Sequence, residues 1–441
     1  MITDTIVAIA TAMAPGAVAI VRLSGPQCFS IVQTISSIDL TNAKGYTIHH
    51  GYIMEHEQPV DEVLFSIFRS PHSYTGEDVI EINCHGGMYI ARKILSLLLG
   101  AGARLALRGE FTQRAFLNGK MDLSQAESVN DLIRATDEVN ANSAMRALRG
   151  SVKRILAPLL EDLTQIIAQI EVNIDYPEYD DVHQLIQEEL LPKVKTWNEN
   201  LHQLIQTAQK AMLVRDGIDT VIIGRPNVGK SSLLNALLEE DKAIVTDIAG
   251  TTRDLVEGDI RIGDLTLHLI DTAGIHTADN QVEAIGMEKT RAVLKKAQLV
   301  LLVLDGHEEL REEDRQLLEE TKSYNRIIVY NKKDLKETPN TLSISAAQGD
   351  LSPLIQAIEE KYAEGVLLAK SDTFNNERQI ALAMQAYHAM EEVQHSLEDG
   401  ASVDLVTMDL QEAWEALKQI NGEAGRENLL DEIFSRFCLG K

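Results

Sequence analysis

Asp219-Thr-Val-Ile-Ile-Gly-Arg-Pro-Asn-Val-Gly-Lys-Ser-Ser-Leu-Leu-Asn-Ala-Leu-Leu238 contains a change of pattern within twenty residues. Residues 220–223 are β-branched, ending in three apolar residues, as a buried strand requires. Residues 232–238 carry leucines at helical spacing. Between them Gly224-Arg-Pro-Asn-Val-Gly-Lys-Ser231 satisfies G-x-x-x-x-G-K-[ST] in the strand–loop–helix context that gives the motif its meaning. The glycines let backbone N–H groups approach phosphates, and the helix N-terminus adds partial positive charge. Lys230 is placed to reach the β and γ phosphates and Ser231 to ligate Mg²⁺.

Downstream, four further segments appear in the order a guanine-nucleotide site needs. Thr246-Asp-Ile-Ala-Gly-Thr-Thr-Arg-Asp254 reads as a loop that supplies a threonine to Mg²⁺ when a γ-phosphate is bound. The strand Leu265-Thr-Leu-His-Leu-Ile270 ends in Asp271-Thr-Ala-Gly274, with Asp271 facing Mg²⁺ and Gly274 offering an N–H to the γ-phosphate. Arg326-Ile-Ile-Val-Tyr330 leads into Asn331-Lys-Lys-Asp334, where one carboxylate can accept both the N1–H and the exocyclic amine of guanine. Leu342-Ser-Ile-Ser-Ala-Ala347 then brings a backbone N–H, near Ala346, to guanine O6. The nucleotide contacts expected are Asn227, Val228, Gly229, Lys230, Ser231 and Ser232; Thr246, Asp247, Ile248, Ala249, Gly250, Thr251 and Thr252; Asp271, Thr272, Ala273 and Gly274; Asn331 and Asp334; and Ser345, Ala346 and Ala347.

Ile275 occupies the place where many such sites hold a water-orienting glutamine. Its side chain makes no hydrogen bond, so hydrolysis needs help from elsewhere. Asn227 can ligate a monovalent cation placed like an arginine finger, and Glu283 can position water.

Further outward, residues 1–118 read as α+β. Residues 18–22 and 78–84 are strands, the second with Ile80, Ile82 and Cys84 on one face. His85-Gly-Gly87 is a turn and residues 88–99 a helix closed by Gly100. Residues 119–213 have helical periodicity through Leu123, Ala126, Val129 and Leu132, then Leu156, Leu159, Leu163 and Ile166. Tyr176-Pro-Glu-Tyr-Asp-Asp181 interrupts the run, and a second long helix spans roughly 184–212. From Phe374 onward the pattern is helical again. The expected fold is multidomain: an α+β domain over 1–118, a discontinuous helical bundle over 119–214 and 373–441, and an inserted α/β phosphate-loop domain over 215–372.

The 441 residues are 44% hydrophobic and 24% charged, an ordinary globular composition. No apolar run approaches about 18 residues, so no membrane span is expected. Three scattered cysteines, Cys28, Cys84 and Cys438, fit a reducing cytoplasm and argue against a disulfide or zinc framework. A net charge of −26 points away from nucleic acid, except through a local basic patch.

These motifs, with Tyr74-Thr-Gly-Glu-Asp-Val-Ile-Glu81, Asn118-Gly-Lys-Met-Asp-Leu-Ser-Gln-Ala-Glu127 and the terminal Cys438-Leu-Gly-Lys441, resemble the MnmE (TrmE) family of tRNA-modification GTPases across essentially the whole chain. The tail has leucine where the family commonly has isoleucine. The resemblance implies an N-terminal domain that binds folate and dimerises, a helical domain and an inserted G domain. It implies a homodimer that assembles into a heterotetramer with MnmG, an FAD-dependent partner, and tRNA as substrate. A carboxymethylaminomethyl or aminomethyl group would be placed on C5 of the wobble uridine, using a one-carbon unit from 5-formyltetrahydrofolate or a related tetrahydrofolate. It further implies K⁺ at Asn227, Thr246, Ile248 and Thr251; Mg²⁺ at Ser231 and Thr252; catalysis by Glu283; folate contacts at Arg22, Glu81, Lys120 and Lys441; and modification chemistry at Cys438. Taken without the family, Arg22 is an exposed strand end, Glu81 a solvent-facing residue, Lys120 a helix-start lysine and His85 a turn residue. The residues alone also leave open a ribosome-assembly GTPase switch and a folate-dependent aminomethyltransferase with a regulatory G domain. The first usually carries a basic RNA-binding module, which this acidic chain lacks.

Overall fold

The computed structural model describes residues 4–175, 189–240, 256–270, 294–336, 341–401 and 404–423, together with Ile433, Phe434, Phe437 and Gly440. The chain forms two compact units, residues 1–201 with 381–441, and residues 202–380.

The first unit holds a six-stranded sheet built from β1 (Ile6–Ile9), β2 (Val18–Ser24), β3 (Thr47–Glu55), β4 (Gln58–Phe68), β5 (Val79–His85) and β6 (Arg104–Leu105), in the order β3-β4-β5-β2-β1-β6. Alternation in β2 and β5 sends Val21, Leu23, Ile80, Ile82 and Cys84 into the core, where helices Cys28–Gln33 and Met88–Gly100 cover one face. Gly86 and Gly87 follow the strand, and Gly86 is obligatory: a Cβ there would sit 2.2 Å from the Gly16 carbonyl oxygen. His85 is the last residue of β5 rather than part of the turn, and its Nδ1 pairs with Asp61 Oδ1 at 2.6 Å.

The expected helical run beyond residue 119 is broken. Helix Leu123–Arg134 starts on an Asp122–Gln125 capping box, and a second begins only at Glu138. Ile133 is exposed in the last turn of helix Leu123–Arg134. Helix Ser151–Asp175 buries Leu156, Leu159, Leu163, Ile166 and Ile170 on one face, and Leu159 gives its carbonyl to the buried Trp197 Nε1. The second long helix is described over Leu191–Asp216 and ends later than its periodicity suggests; residues 176–188, which include its expected start, lie outside the described residues. Near the C-terminus, Phe434 and Phe437 pack with Phe116, Leu123 and Ala126.

The second unit carries a five-stranded sheet of β7 (Ile218–Ile223), β8 (Val256–Ile262), β9 (Leu265–Ile270), β10 (Leu299–Asp305) and β11 (Arg326–Asn331), ordered β11-β10-β7-β9-β8. β8 and β9 form an antiparallel hairpin, while β9, β7, β10 and β11 run parallel. β10 is buried along its whole length, which explains its unbroken apolar run up to Asp305. The parallel strands deliver their C-terminal loops to one edge, where open α/β sheets bind ligands.

Candidate functional sites

At that edge β7 runs into the phosphate loop. Asn227 (φ +64°) and Gly229 (φ +96°) both adopt left-handed backbone, turning the chain so that Lys230 opens helix Lys230–Glu240. Two glycines are fixed by close approach. A Cβ at Gly224 would lie 2.3 Å from the Val303 carbonyl oxygen, and one at Gly229 only 2.2 Å from Asn331 Nδ2. Lys230 Nζ donates to the carbonyls of Gly224 (2.8 Å) and Arg225 (2.9 Å). An ammonium coiled over its own loop at a helix N-terminus fits a polyphosphate, whose oxygens offer stronger acceptors than carbonyls. Ser231 and Ser232 are exposed in the first turn of that helix.

Asn331 joins the loops. Its Nδ2 donates to the Val228 carbonyl at 2.9 Å, and its Oδ1 accepts the Ala346 N–H at 3.1 Å. The Ala346 N–H expected at guanine O6 is thus directed to Asn331 here. Asp334 Oδ1 accepts from Ser345 Oγ at 2.6 Å, which fixes the orientation of the carboxylate. Ala347 lies in the 3₁₀ turn Ala346–Gln348. Residues 246–252 and 271–275, with Glu283, Cys438 and Lys441, lie outside the described residues.

Sequence reading missed an ion cluster around this site. Buried Arg225 faces Glu308 (2.7 Å), Asp314 (3.2 Å) and Asp305 (3.5 Å), and Lys332 Nζ reaches Asp305 Oδ2 at 2.6 Å. Burial pushes the Asp305 carboxyl up, but the Lys332 hydrogen bond, the His307 N–H and the charges of Lys332 and Arg225 outweigh it and hold it below the usual range. The available signal was a lone acid closing an otherwise apolar strand.

In the first unit the antiparallel register of β2 and β5 sets Arg22 directly opposite Glu81. Arg22 is mid-strand and largely buried, not an exposed end. Its Nε donates to Glu81 Oε1 at 2.7 Å and its Nη1 to the Gly440 carbonyl at 3.3 Å. Glu81 is accordingly paired rather than solvent-facing. The guanidinium lies between the rings of Tyr74 (5.9 Å) and Phe111 (5.7 Å), two contacts that sequence reading missed. Gly440 (φ +93°) sits where a Cβ would be 2.6 Å from the Ile9 carbonyl oxygen, so the tail is seated against β1. Lys120 lies before the helix cap rather than at a helix start, and its Nζ donates to the Pro71 carbonyl at 3.0 Å. The loop from Pro71 to Gly76 therefore touches Lys120 through the Pro71 carbonyl and carries Tyr74 to Arg22.

The two described cysteines are inert hydrophobes. Burial and the Asp61 charge push Cys84 up to about 11, and burial raises Cys28 further. Among the described residues no helix is long and apolar enough to cross a membrane, and no cluster of His, Cys, Asp or Glu is arranged to hold a metal ion.

Family models described as "GTP-binding protein TrmE N-terminus" and "MnmE helical domain" match residues 5–120 and 123–438. A tRNA modification GTPase MnmE of Lactococcus lactis subsp. cremoris (strain SK11) is 48% identical, over 99% of this chain and 98% of that protein. The proteins of the same name from Enterococcus faecalis (strain ATCC 700802 / V583) and Listeria welshimeri serovar 6b are 46% and 44% identical, each over 99% of this chain and 98% and 99% of their own lengths.

Proposed function

The chain belongs to the MnmE family of tRNA modification GTPases and is a GTP hydrolase; on that premise we propose that, with an FAD-dependent partner of the MnmG kind, it places a carboxymethylaminomethyl or aminomethyl group on C5 of the wobble uridine of certain tRNAs. The carbon comes from 5-formyltetrahydrofolate or a related tetrahydrofolate held in the first unit of a homodimer. The observation that carries the folate reading is the convergence of Arg22, Glu81 and the Gly440 carbonyl from three distant stretches of chain. A guanidinium clamped by one carboxylate and flanked by two aromatic rings suits a flat, polar, partly anionic ligand. Lys120 and Lys441 complete that contact set.

In the second unit the triphosphate binds along the phosphate loop. Lys230 exchanges its two carbonyl acceptors for phosphate oxygens, and the amides opening helix Lys230–Glu240 supply further donors. Val228, Gly229, Ser231 and Ser232 line that loop; Asp247, Ala249, Gly250, Thr272, Ala273 and Gly274 belong to the segments that close on the phosphates. Asp334, oriented by Ser345, accepts two hydrogens of guanine, which adenine does not offer as a pair. Ser231 and Thr252, assisted by Asp271, would hold Mg²⁺, and Asn227, Thr246, Ile248 and Thr251 would hold K⁺; the cations would neutralise the charge that builds up on the phosphates. Asn227 suits that task because its left-handed backbone stands within the phosphate turn. Glu283 positions water, since Ile275 cannot. How Cys438 contributes rests on the family resemblance alone.

Nucleoside analysis of tRNA from a strain lacking this protein tests the reading. The wobble uridine should lose its C5 substituent and regain it when the gene is restored. An unchanged nucleoside profile refutes the proposal and favours a GTPase switch without modification chemistry.

A further inference from the structure

Asp305 belongs to no sequence motif of the nucleotide site, yet it stands between two of them. It closes β10 and lies in register with Asn331, the last residue of β11, which leads into the loop that ends in Asp334. Its Oδ2 accepts from Lys332 Nζ at 2.6 Å and lies 3.5 Å from Arg225 Nη2, while its Oδ1 accepts the His307 N–H at 3.0 Å. Arg225 is the second residue of the phosphate loop, and its carbonyl is one of the two that hold Lys230. Lys332 stands at φ +69°, a conformation a non-glycine residue keeps only when its surroundings hold it.

The charges around Asp305 balance. Arg225, Arg311 and Lys332 face Asp305, Glu308 and Asp314, and Asp314 also accepts the Arg311 N–H where helix Glu312–Glu320 begins. Glu308 and Asp314 tie Arg225 to the start of that helix. Asp305 joins Arg225 in the phosphate loop to Lys332 in the base-reading loop.

We propose that Asp305 is a positioning residue for guanine-nucleotide binding, whose carboxylate ties Lys332 to Arg225 and so fixes the spacing between the groups that grip the base and those that grip the phosphates. This rests on the assignment of residues 331–334 as the base-reading loop. Asp305 touches no nucleotide; it acts through Lys332, whose side chain it anchors at the rim of the sheet. Its removal therefore weakens ground-state binding and leaves the chemical step alone, because uniform binding moves KM rather than kcat.

The test is a double-mutant cycle on the full-length protein with a fluorescent GDP analogue and steady-state GTP hydrolysis. Asp305→Asn should weaken GDP binding and raise the KM for GTP about tenfold, with kcat within about twofold of wild type. In a Lys332→Met background the same change should cost no more than about a further twofold. Equal losses in both backgrounds make Asp305 a structural residue and overturn the proposal, as does undiminished GDP binding in Asp305→Asn. Should Asp305→Asn fail to fold, Asp305→Glu keeps the charge and displaces it by one methylene, and its smaller KM increase must likewise vanish with Lys332→Met. Asp334→Asn, measured alongside, separates two kinds of failure. If it binds GDP normally, the base-reading assignment is wrong and the proposal goes with it; if it loses GDP while the cycle shows equal losses, only the role of Asp305 is lost.

Discussion

The nucleotide loops and the proposed Arg22 site would solve similar problems with opposite use of the chain. In the second unit, recognition runs through backbone amides and short side chains on turns that follow strands. Such turns demand contiguous residue types: a glycine where a Cβ would meet Val303 or Asn331, and a lysine that opens a helix. In the first unit, single side chains on neighbouring strands meet a carbonyl 418 residues away in sequence. Nothing local is required of them beyond an even face and a partner across the sheet. The lesson is that a ligand gripped by main chain leaves a signature in the sequence, whereas one gripped by side chains across a sheet does not.

The strongest way to break this contrast is to remove one anchor from each side. Lys230→Ala should lower GTP turnover about a thousandfold, because a preorganised charge on the departing phosphate has no substitute nearby. Tetrahydrofolate binding, measured by calorimetric titration, should be unaffected. Arg22→Ala should do the reverse. Affinity for 5-formyltetrahydrofolate should fall about a hundredfold, as for loss of charge-assisted hydrogen bonds, with basal GTP hydrolysis within about twofold of wild type. Were Arg22→Ala to slow GTP hydrolysis as severely as Lys230→Ala, the two sites would not be separable.

A smaller effect concerns the counter-ion. Only the nucleotide side is expected to need a monovalent cation, at Asn227. Replacing K⁺ by Na⁺ at constant ionic strength should slow GTP turnover about tenfold and leave tetrahydrofolate affinity alone. Equal rates in the two salts would remove Asn227 from the mechanism.

What could be read from the sequence follows the same division. Strands β7, β9 and β11 lie within a residue of where their apolar runs placed them, because each stops at a motif that cannot continue a strand. Asn331 was legible as a site residue, but its bridging of Val228 and Ala346 was not, since that depends on two loops meeting. Arg225 sat in plain view within the phosphate motif at a position any residue can fill. Its partners Glu308 and Asp314 are 83 and 89 residues away, so nothing nearby marks it. Arg22, Glu81 and Lys120 were reachable only through the family resemblance, each being an ordinary residue for its local setting. Net charge pointed the wrong way: a sum of −26 suggested no nucleic-acid partner, yet the family acts on tRNA. A sum over the whole chain averages out any local patch.

The smallest expected effect separates a cluster that serves binding from one that serves folding. Buried Arg114 in the first unit mirrors Arg225 in the second, facing Asp4 (2.8 Å), Glu110 (3.0 Å) and Glu77 (3.2 Å), but none of these residues belongs to a candidate site. Burial opposes ionisation of Glu110, yet hydrogen bonds from Arg104, the Leu107 N–H and Arg114 outweigh it and hold its carboxyl below the usual range. A carboxyl depressed in the folded state stabilises fully above its unfolded value, about pH 4, and that contribution drains away as pH falls through the folded value. Thermal melts from pH 7 downward should therefore hold level and then drop below about pH 4. Glu110→Gln should lower the neutral-pH melting temperature by about 3 °C and flatten the acid drop. Saturating GDP should not close that deficit, because a ligand stabilises the unit that binds it. If Glu110→Gln melts like wild type at both ends of the pH range, the Arg114 cluster contributes nothing to stability, and the resemblance between the two buried arginines is one of geometry alone.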